Sequence, residues 1–210
     1  MGRRQTATKA APKEQDKSEA LFNLYKDANE DSIGPEGVEH LCSDLKVDPS
    51  SRQVLLLAWK MEAQRMGFFS REEFSRGLRA LNATTVDKLR KALPKLEEEV
   101  DSNPAAFSSF FTFAFKFCLT EPRQKIIDIE TAVLMLSIAM PPSEPHLDPF
   151  ISFLQSQKEY KAINLDQWTS FQRFAEEVKP DCSNFDESQA WPLLLDNYVE
   201  HVKKQQQENL

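Results

Sequence analysis

Four carboxylates and one small side chain near the carboxyl end of the sequence offer a chemical site: Asp166, Asp186, Glu187, Asp196 and Ala190. An alanine between acidic residues would form a shallow socket, because its methyl group lets a cationic partner approach the carboxylates closely. The competing interpretation is that these carboxylates are solvated charges at helix ends, where acidic residues usually lie. The spacing alone leaves both interpretations open.

A cysteine nucleophile is the sharpest catalytic hypothesis. Cys182 lies in a polar turn, where a thioester-forming thiol could be exposed. An activated thiol needs a pKa lowered by a nearby cation or helix terminus, whereas the neighbouring Asp181 and Asp186 would raise that pKa. The three histidines have no cysteine, serine or carboxylate partner at a recognisable motif spacing. A passive thiol is therefore the favoured interpretation, and no catalytic residue is predicted.

The composition indicates a globular protein whose partners are proteins. The formal net charge of −7 over 210 residues disfavours binding to the phosphate backbone of a nucleic acid. The longest apolar run, residues 132–140, is far shorter than the roughly 18–20 residues that span a bilayer, so no integral membrane segment is expected. The three cysteines are well separated and have no metal-ligand spacing. They predict reduced thiols in the cytoplasm or nucleus, and no cofactor.

The distribution of glycine predicts an all-α fold and disfavours several classes of enzyme. The sequence has five glycines, and residues 78–210 contain none. Phosphate-binding loops, nucleophile elbows and tight β-hairpins all need glycine for positive φ or close backbone approach. The phenylalanine-rich segment 107–117 alternates like a strand but also fits a helical period. Because no other long segment alternates and could pair with it, a helix is predicted there.

A repeated spacing indicates paired EF-hand-like loops. Ile33 to Phe69 is a step of 36 residues, and Ile127 to Ile163 is another, with each residue in a short polar break between helical patterns. This is the spacing at which paired EF-hands form a small β-bridge. Calcium needs about 6–8 oxygen ligands, and none of the loops supplies them. Two EF-hand-like helical lobes without metal ligands are therefore predicted, and a calcium-regulated adaptor with an unrelated protein partner is the alternative.

Both ends of the chain are predicted to lie outside the folded domain. Residues 1–17 are polar without an apolar period and indicate a disordered tail, and residues 205–210 indicate a frayed one. The domain between them divides into an amino-terminal lobe over about 18–103 and a carboxyl-terminal lobe over about 104–204. The first six residues fit the loose pattern for N-myristoylation of Gly2, although a plain basic tail or weak nuclear signal is the favoured interpretation.

Six segments carry a resemblance to a known family. They are IGPEGVEHLC at 33–42, VLLLAWK at 54–60, MGFFSREEF at 66–74, IDIETA at 127–132, KAINLDQW at 161–168 and NFDESQAWPLLLDNYVE at 184–200. Together they resemble the potentiating-neddylation domain of the defective-in-cullin-neddylation family, over most of the chain. The resemblance implies one compact domain made of two EF-hand-like lobes without metal.

The resemblance also implies a monomeric, scaffold-type co-activator that is not an enzyme. Family members bind the winged-helix domain of a cullin through an Asp–Ala–Asp patch, which matches Asp166, Ala190 and Asp196. A groove in the other lobe binds the N-acetylated tail of the neddylation conjugating enzyme, and transfer of the ubiquitin-like modifier to a cullin lysine is promoted. The positions matching that groove are Pro35, Val38, Val54, Leu57, Met66, Phe69, Phe117, Met135 and Ile138. Met135 stands where an aromatic residue is common in the family.

Overall fold

The computed structural model describes residues 12–208, with side chains from residue 17 onward, and it confirms the all-α fold class. The described residues form ten helices and four short strands. The helices are α1 (Pro12–Tyr25), α2 (Pro35–Leu45), α3 (Arg52–Met61), α4 (Arg71–Ala80), α5 (Val86–Ser102), α6 (Pro104–Phe117), α7 (Ile129–Ala139), α8 (Leu147–Ser156), α9 (Leu165–Glu177) and α10 (Leu193–Glu208). The strands are β1 (Ser32–Ile33), β2 (Phe69–Ser70), β3 (Ile126–Asp128) and β4 (Ala162–Asn164).

Two small antiparallel sheets join the interhelical loops in the pairs that the repeated spacing predicts. Strand β1 pairs with β2 and places Ile33 opposite Phe69. Strand β3 pairs with β4 and places Ile127 opposite Ile163. All four side chains are buried. Each sheet therefore joins two helix–loop–helix units into an EF-hand-like pair: α1–α2 with α3–α4, and α6–α7 with α8–α9.

Reciprocal side-chain caps fix the helices that leave two of these loops. The Ser70 hydroxyl accepts a hydrogen bond from the Glu73 backbone N–H at 3.2 Å, and the Glu73 carboxylate accepts one from the Ser70 N–H at 2.7 Å. Asn164 and Gln167 form the same arrangement at the start of α9. These bonds satisfy backbone donors that the first turn of a helix leaves unpaired. Both helix starts carry residue types that favour such caps.

The buried side chains form two hydrophobic cores. The first contains side chains of α1, α2 and α4, the second contains side chains of α6 to α10, and α3 and α5 contribute to both. On α3, Leu57 belongs to the first core, whereas Leu56 belongs to the second. On α5, Leu93 belongs to the first core and Leu96 to the second. Both helices are therefore buried on two sides, and they pack the two EF-hand-like pairs against each other.

The phenylalanine-rich segment is helical, as predicted, and lies at the centre of the second core. Phe111 of α6 stacks on Trp168 of α9, with ring centroids 4.5 Å apart. The Trp168 indole N–H donates to the Phe111 carbonyl oxygen at 2.8 Å, which pairs the polar end of a fully buried ring. This contact holds α9, and with it Asp166, against the core.

The ends of the chain differ from the sequence prediction. Helix α1 begins at Pro12, so residues 12–17 belong to a helix and not to the predicted tail. Proline suits a first helical position, and the lysine, glutamate and glutamine after it are strong helix formers. Helix α10 continues to Glu208, through part of the segment predicted to fray. Gly2 lies outside the described residues, so its predicted acylation stays a prediction.

Gly37 provides a stability test of the first EF-hand-like pair. A Cβ at this position would overlap the backbone carbonyl oxygen of Tyr25 and crowd the Ile33 side chain. We expect Gly37→Ala to lower the free energy of unfolding by about 1–3 kcal/mol, the usual cost of overpacking, in a urea titration. Gly34→Ala is the matched control, because its Cβ would meet only the Asp27 carboxylate, which can rotate away. Equal losses in the two variants would contradict this explanation.

Candidate functional site

An apolar groove of about 460 Å³ lies between the two EF-hand-like pairs. Val54 and Leu55 of α3 line it together with Phe69 of β2, and α6 and α7 supply further apolar side chains. None of the described residues that line the groove is charged. A buried ionised ligand group would therefore lose its hydration without gaining a charged partner, so the groove suits an uncharged, apolar ligand.

Six of the nine predicted groove positions line this groove: Val54, Met66, Phe69, Phe117, Met135 and Ile138. Met66 is 50% exposed and Met135 only 6% exposed, so the groove has an accessible rim and a buried floor. The resemblance implied a groove within one lobe, whereas the lining residues come from both EF-hand-like pairs. The space is consequently sensitive to how α3 packs against α7.

The other three predicted positions do not line the groove. Leu57 is 1% exposed and Val38 is 8% exposed, and both pack inside the first core. Pro35 begins α2 and lies beside Gly67, at whose position a Cβ would meet the proline ring at 3.9 Å. Pro35 therefore lies next to Gly67, which lines the groove, whereas Leu57 packs in the core.

Helix α7 supplies groove residues that the sequence analysis did not name. Thr131 and Leu134 line the groove together with Met135 and Ile138. Leu134 is 60% exposed, so part of its side chain is accessible at the groove. The spacing of these four positions, mostly three or four residues apart, is that of one helical face. That stripe is a signal in the sequence from which the two additional residues could have been found.

The second site is the acidic patch, which we define as Asp166, Ala190 and Asp196. Asp166 lies in the first turn of α9, and Asp196 lies in the first turn of α10. Ala190 is exposed in the turn immediately before α10. The Asn197 amide donates to the Tyr160 hydroxyl at 2.8 Å and so ties α10 to the segment that leads into α9. The two carboxylates of the patch therefore lie in the first turns of two different helices.

The orientation of Ala190 is fixed by the tryptophan that follows it. Trp191 is 9% exposed and packs edge-on against Phe174, with centroids 5.7 Å apart. The Arg173 guanidinium lies over the Trp191 ring, 3.8 Å from its centroid. Because Trp191 is held in the core between these partners, the preceding alanine is left at the surface.

The acidic residues around the patch have different electrostatic environments. The pKa of Asp196 is raised, first by burial and then by the neighbouring carboxylates of Glu187 and Glu200. The pKa of Asp186 is lowered, because its carboxylate accepts hydrogen bonds from the Ser188 hydroxyl at 2.7 Å and the Ser188 N–H at 2.9 Å. Asp186 therefore stabilises the local turn. The ionised form of Asp196 is disfavoured, and a nearby cation would offset that cost.

The position of α10 depends on a buried polar contact that sequence spacing did not reveal. His146 is 1% exposed, and its Nε2 lies 3.0 Å from the Val178 carbonyl oxygen. Nδ1 lies 3.0 Å from the Tyr198 hydroxyl. In a neutral ring, the N–H that faces the carbonyl must be on Nε2, so Nδ1 accepts from that hydroxyl. The contact joins the start of α8 and the end of α9 to α10, and it holds the patch-bearing helix in place.

Cys182 is not the exposed thiol that the catalytic hypothesis required. It is 1% exposed, and burial, followed by the charge of Asp181, raises its pKa to about 11. The polar residues of its turn suggested exposure, but the side chain points into the second core. Burial likewise raises the pKa values of Cys42 and Cys118 to about 11. All three thiols stay protonated near neutral pH, which makes them poor nucleophiles.

Metal binding and membrane insertion were the other possibilities for residues 12–208. The residues described there include no group of three or more histidines, cysteines, aspartates or glutamates placed to hold a metal ion. No described helix is both long enough and apolar enough to cross a membrane. The apolar groove and the acidic patch are the surfaces in this part of the chain that contain positions matched by the sequence resemblance.

The fold and these two surfaces define a helical protein-binding domain built on EF-hand-like pairs. The family model described as "Cullin binding" matches residues 88–201. DCN1-like protein 2 of Dictyostelium discoideum is 40% identical over 88% of this chain and 68% of its own length. Human DCN1-like proteins 4 and 5 are 39% and 37% identical over 84% and 87% of this chain, and over 60% and 76% of their own lengths.

The chain therefore belongs to the cullin-binding family of DCN1-like proteins. It spans about two thirds of the length of several of these relatives. Membership in this family supports a role in cullin neddylation, which agrees with the family that the sequence motifs resemble.

The raised pKa of Asp196 predicts that this residue costs folding stability at neutral pH. Since the folded-state pKa exceeds the unfolded one, the folded state disfavours the ionised form, and stability falls as pH rises through the folded pKa. We expect Asp196→Asn to raise the Tm at pH 7 in a thermal melt. The gain should disappear at low pH, below the ordinary aspartate pKa of 3.8, where the wild-type carboxyl is neutral in both states.

Asp186→Asn is the matched control for this test, because the pKa of Asp186 is shifted in the opposite direction. Asparagine at position 186 would weaken the bonds from Ser188, so the Tm at pH 7 should fall. A Tm decrease in the Asp196 variant as well would contradict the electrostatic assignment.

Proposed function

We propose that this protein is a scaffold-type co-activator of cullin neddylation. In this proposal the acidic patch binds the winged-helix domain of a cullin, and the apolar groove binds the N-acetylated tail of the neddylation conjugating enzyme. Family membership supports the cullin partner. The observation that carries the tail assignment is that six positions matched to tail binding line one groove without a charged residue.

The chemistry of the groove suits an acetylated amino terminus. A free terminal ammonium would be desolvated against Val54, Phe69 and their neighbours with no carboxylate to pair with. Acetylation removes that charge and leaves an amide, which costs much less to bury. Apolar side chains of the tail would then gain about 25 cal/mol for each Å² that they remove from water.

The chemistry of the acidic patch suits a basic surface. Asp166 and Asp196 carry carboxylates in the first turns of α9 and α10, and the exposed Ala190 has a methyl group that would leave room for a long cationic side chain. Complementary charge of this kind accelerates association and selects partners more than it adds raw affinity. A basic partner would also offset the repulsion from Glu187 and Glu200, which adds to burial in raising the pKa of Asp196.

Simultaneous binding at the two sites would accelerate transfer without a catalytic side chain. A second binding event on a linked partner has an effective concentration that can reach roughly millimolar. Holding the conjugating enzyme beside the cullin lysine would also reduce the entropic cost of bringing the reacting groups together. The buried, protonated state of Cys182 supports such a non-covalent role. We propose that the protein acts as a monomer in the cytoplasm and nucleus.

Ala190→Arg tests the cullin-binding patch. Because Ala190 is exposed in a turn, arginine should be tolerated by the fold while it fills the socket and repels a basic partner. Calorimetric titration with a cullin winged-helix domain should show at least tenfold weaker binding. Ala20→Arg, at an exposed position of α1, is the control and should bind like the wild type. Unchanged affinity in the Ala190 variant would refute the patch assignment.

Met66→Glu tests the groove. Met66 is 50% exposed at the rim, so a glutamate there should not disrupt the core but would place an unpaired charge against the apolar tail. An acetylated tail peptide should bind at least tenfold more weakly, as measured by fluorescence anisotropy. Leu24→Glu changes a leucine that is 55% exposed on α1 and should leave affinity unchanged. Equal binding of acetylated and unacetylated peptides to the wild type would argue against the proposed tail recognition.

A further inference from the structure

Arg52 connects three helices at one end of the apolar groove. It lies at the start of α3, and its Nη2 and Nη1 donate to the Asp101 carboxylate of α5 at 2.6 and 3.1 Å. Nη1 also lies 3.4 Å from the Glu97 carboxylate. The remaining donor, Nε, bonds to the backbone carbonyl oxygen of Ala139 at 3.2 Å. The side chain is only 10% exposed, so solvent screens these contacts weakly.

The bond to Ala139 joins Arg52 to the carboxyl end of α7. Ala139 is the last residue of that helix, and the last four carbonyls of a helix have no partner within it. A guanidinium at this position supplies a donor and also suits the negative end of the helix dipole. The contact therefore ties the start of α3 to the end of α7.

These two helices are walls of the groove. Val54 and Leu55 line it from α3, two and three residues after Arg52. Met135 and Ile138 line it from α7, within one turn before Ala139. The distance between the walls at this end thus depends on the Arg52 side chain.

We propose that Arg52 is a positioning residue that sets the separation of α3 and α7 and thereby the affinity of the groove for its ligand. The carboxylates of Asp101 and Glu97 orient the planar guanidinium, and Nε then holds α7. The identity of the ligand as an acetylated enzyme tail rests on the proposed function above. We call Arg52 and its polar partners Asp101, Glu97 and Ala139 the clamp, and its arrangement rests on the four polar contacts of Arg52. The guanidinium also lies over the Phe110 ring, 5.5 Å from its centroid.

The two halves of the clamp can be separated by substitution. Arg52→Lys keeps a positive charge near the α5 carboxylates, but a single ammonium cannot reproduce the planar fork and reach the Ala139 carbonyl as well. Asp101→Asn weakens the α5 half and leaves both the Glu97 contact and the bond to Ala139. We therefore expect Arg52→Lys to lower the affinity for the tail more than Asp101→Asn does.

The experiment measures binding of an acetylated tail peptide and urea stability for each full-length variant. We expect Arg52→Lys to bind the peptide at least fivefold more weakly than the wild type, and Asp101→Asn to bind within twofold despite lower stability. Arg90→Lys is the matched control. Arg90 similarly joins a carboxylate, Asp87, to a helix-end carbonyl, that of Asp44, and it lies away from the groove. It should lose stability but keep full affinity.

Hydrogen exchange supplies a readout that needs no ligand. In Arg52→Lys, exchange should accelerate in the last turn of α7, over residues 136–140, whereas Arg90→Lys should affect the end of α2. Failure of the wild type to bind the peptide would refute the proposed tail function and leave exchange to decide on the clamp. Unchanged exchange at 136–140 in the lysine variant, or an affinity loss that simply follows stability in all three variants, would overturn the positioning role.

Discussion

The antiparallel pairing of neighbouring loops is the constraint on which the rest of the structure depends. In each EF-hand-like pair, one buried residue of each loop meets its counterpart across a short sheet, as Ile33 meets Phe69. No described loop has a group of ligands that could hold a metal, so apolar contact and helix caps hold these loops together. Strand β3 leads directly into α7, and α3 leads into the loop that ends at β2, so each sheet anchors a loop beside one of the two helices that line the groove.

Rigidity between the groove and the patch is the property that the proposed scaffold role needs most. Two linked binding events reinforce each other only when the geometry allows both at once. Helices α3 and α5 contribute to both cores, and α10 is held by the buried contact between His146 and Tyr198. The groove and the patch therefore lie on packed helices and their starts, where binding residues are positioned more precisely than on loops.

The sequence predicted features that follow local periodicity and missed those that join distant residues. The repeated spacing identified both sheets, because the same residue types recur at the paired positions. The motif match placed Leu57 in the groove wrongly. Helix α3 carries three consecutive leucines and is buried on two sides, so apolar character alone does not indicate which leucine faces the groove. Cys182 was misplaced because polar neighbours in a turn do not determine where one side chain points. The Arg52–Ala139 bond spans 87 residues and leaves no local pattern.

The distribution of perturbed titratable groups is consistent with the proposed binding role. An active site concentrates such groups in a cleft, with pKa values moved toward the working pH. Here burial moves the pKa values of the three cysteines and of Tyr198 away from neutrality, which keeps these groups uncharged and inert. The pKa of Asp196 is instead raised by burial and then by the carboxylates of Glu187 and Glu200, although Glu187 itself lies 3.8 Å from the Lys203 ammonium. In the proposed role, a cationic surface of the cullin would offset the cost of ionising Asp196, which is the behaviour expected of a docking site.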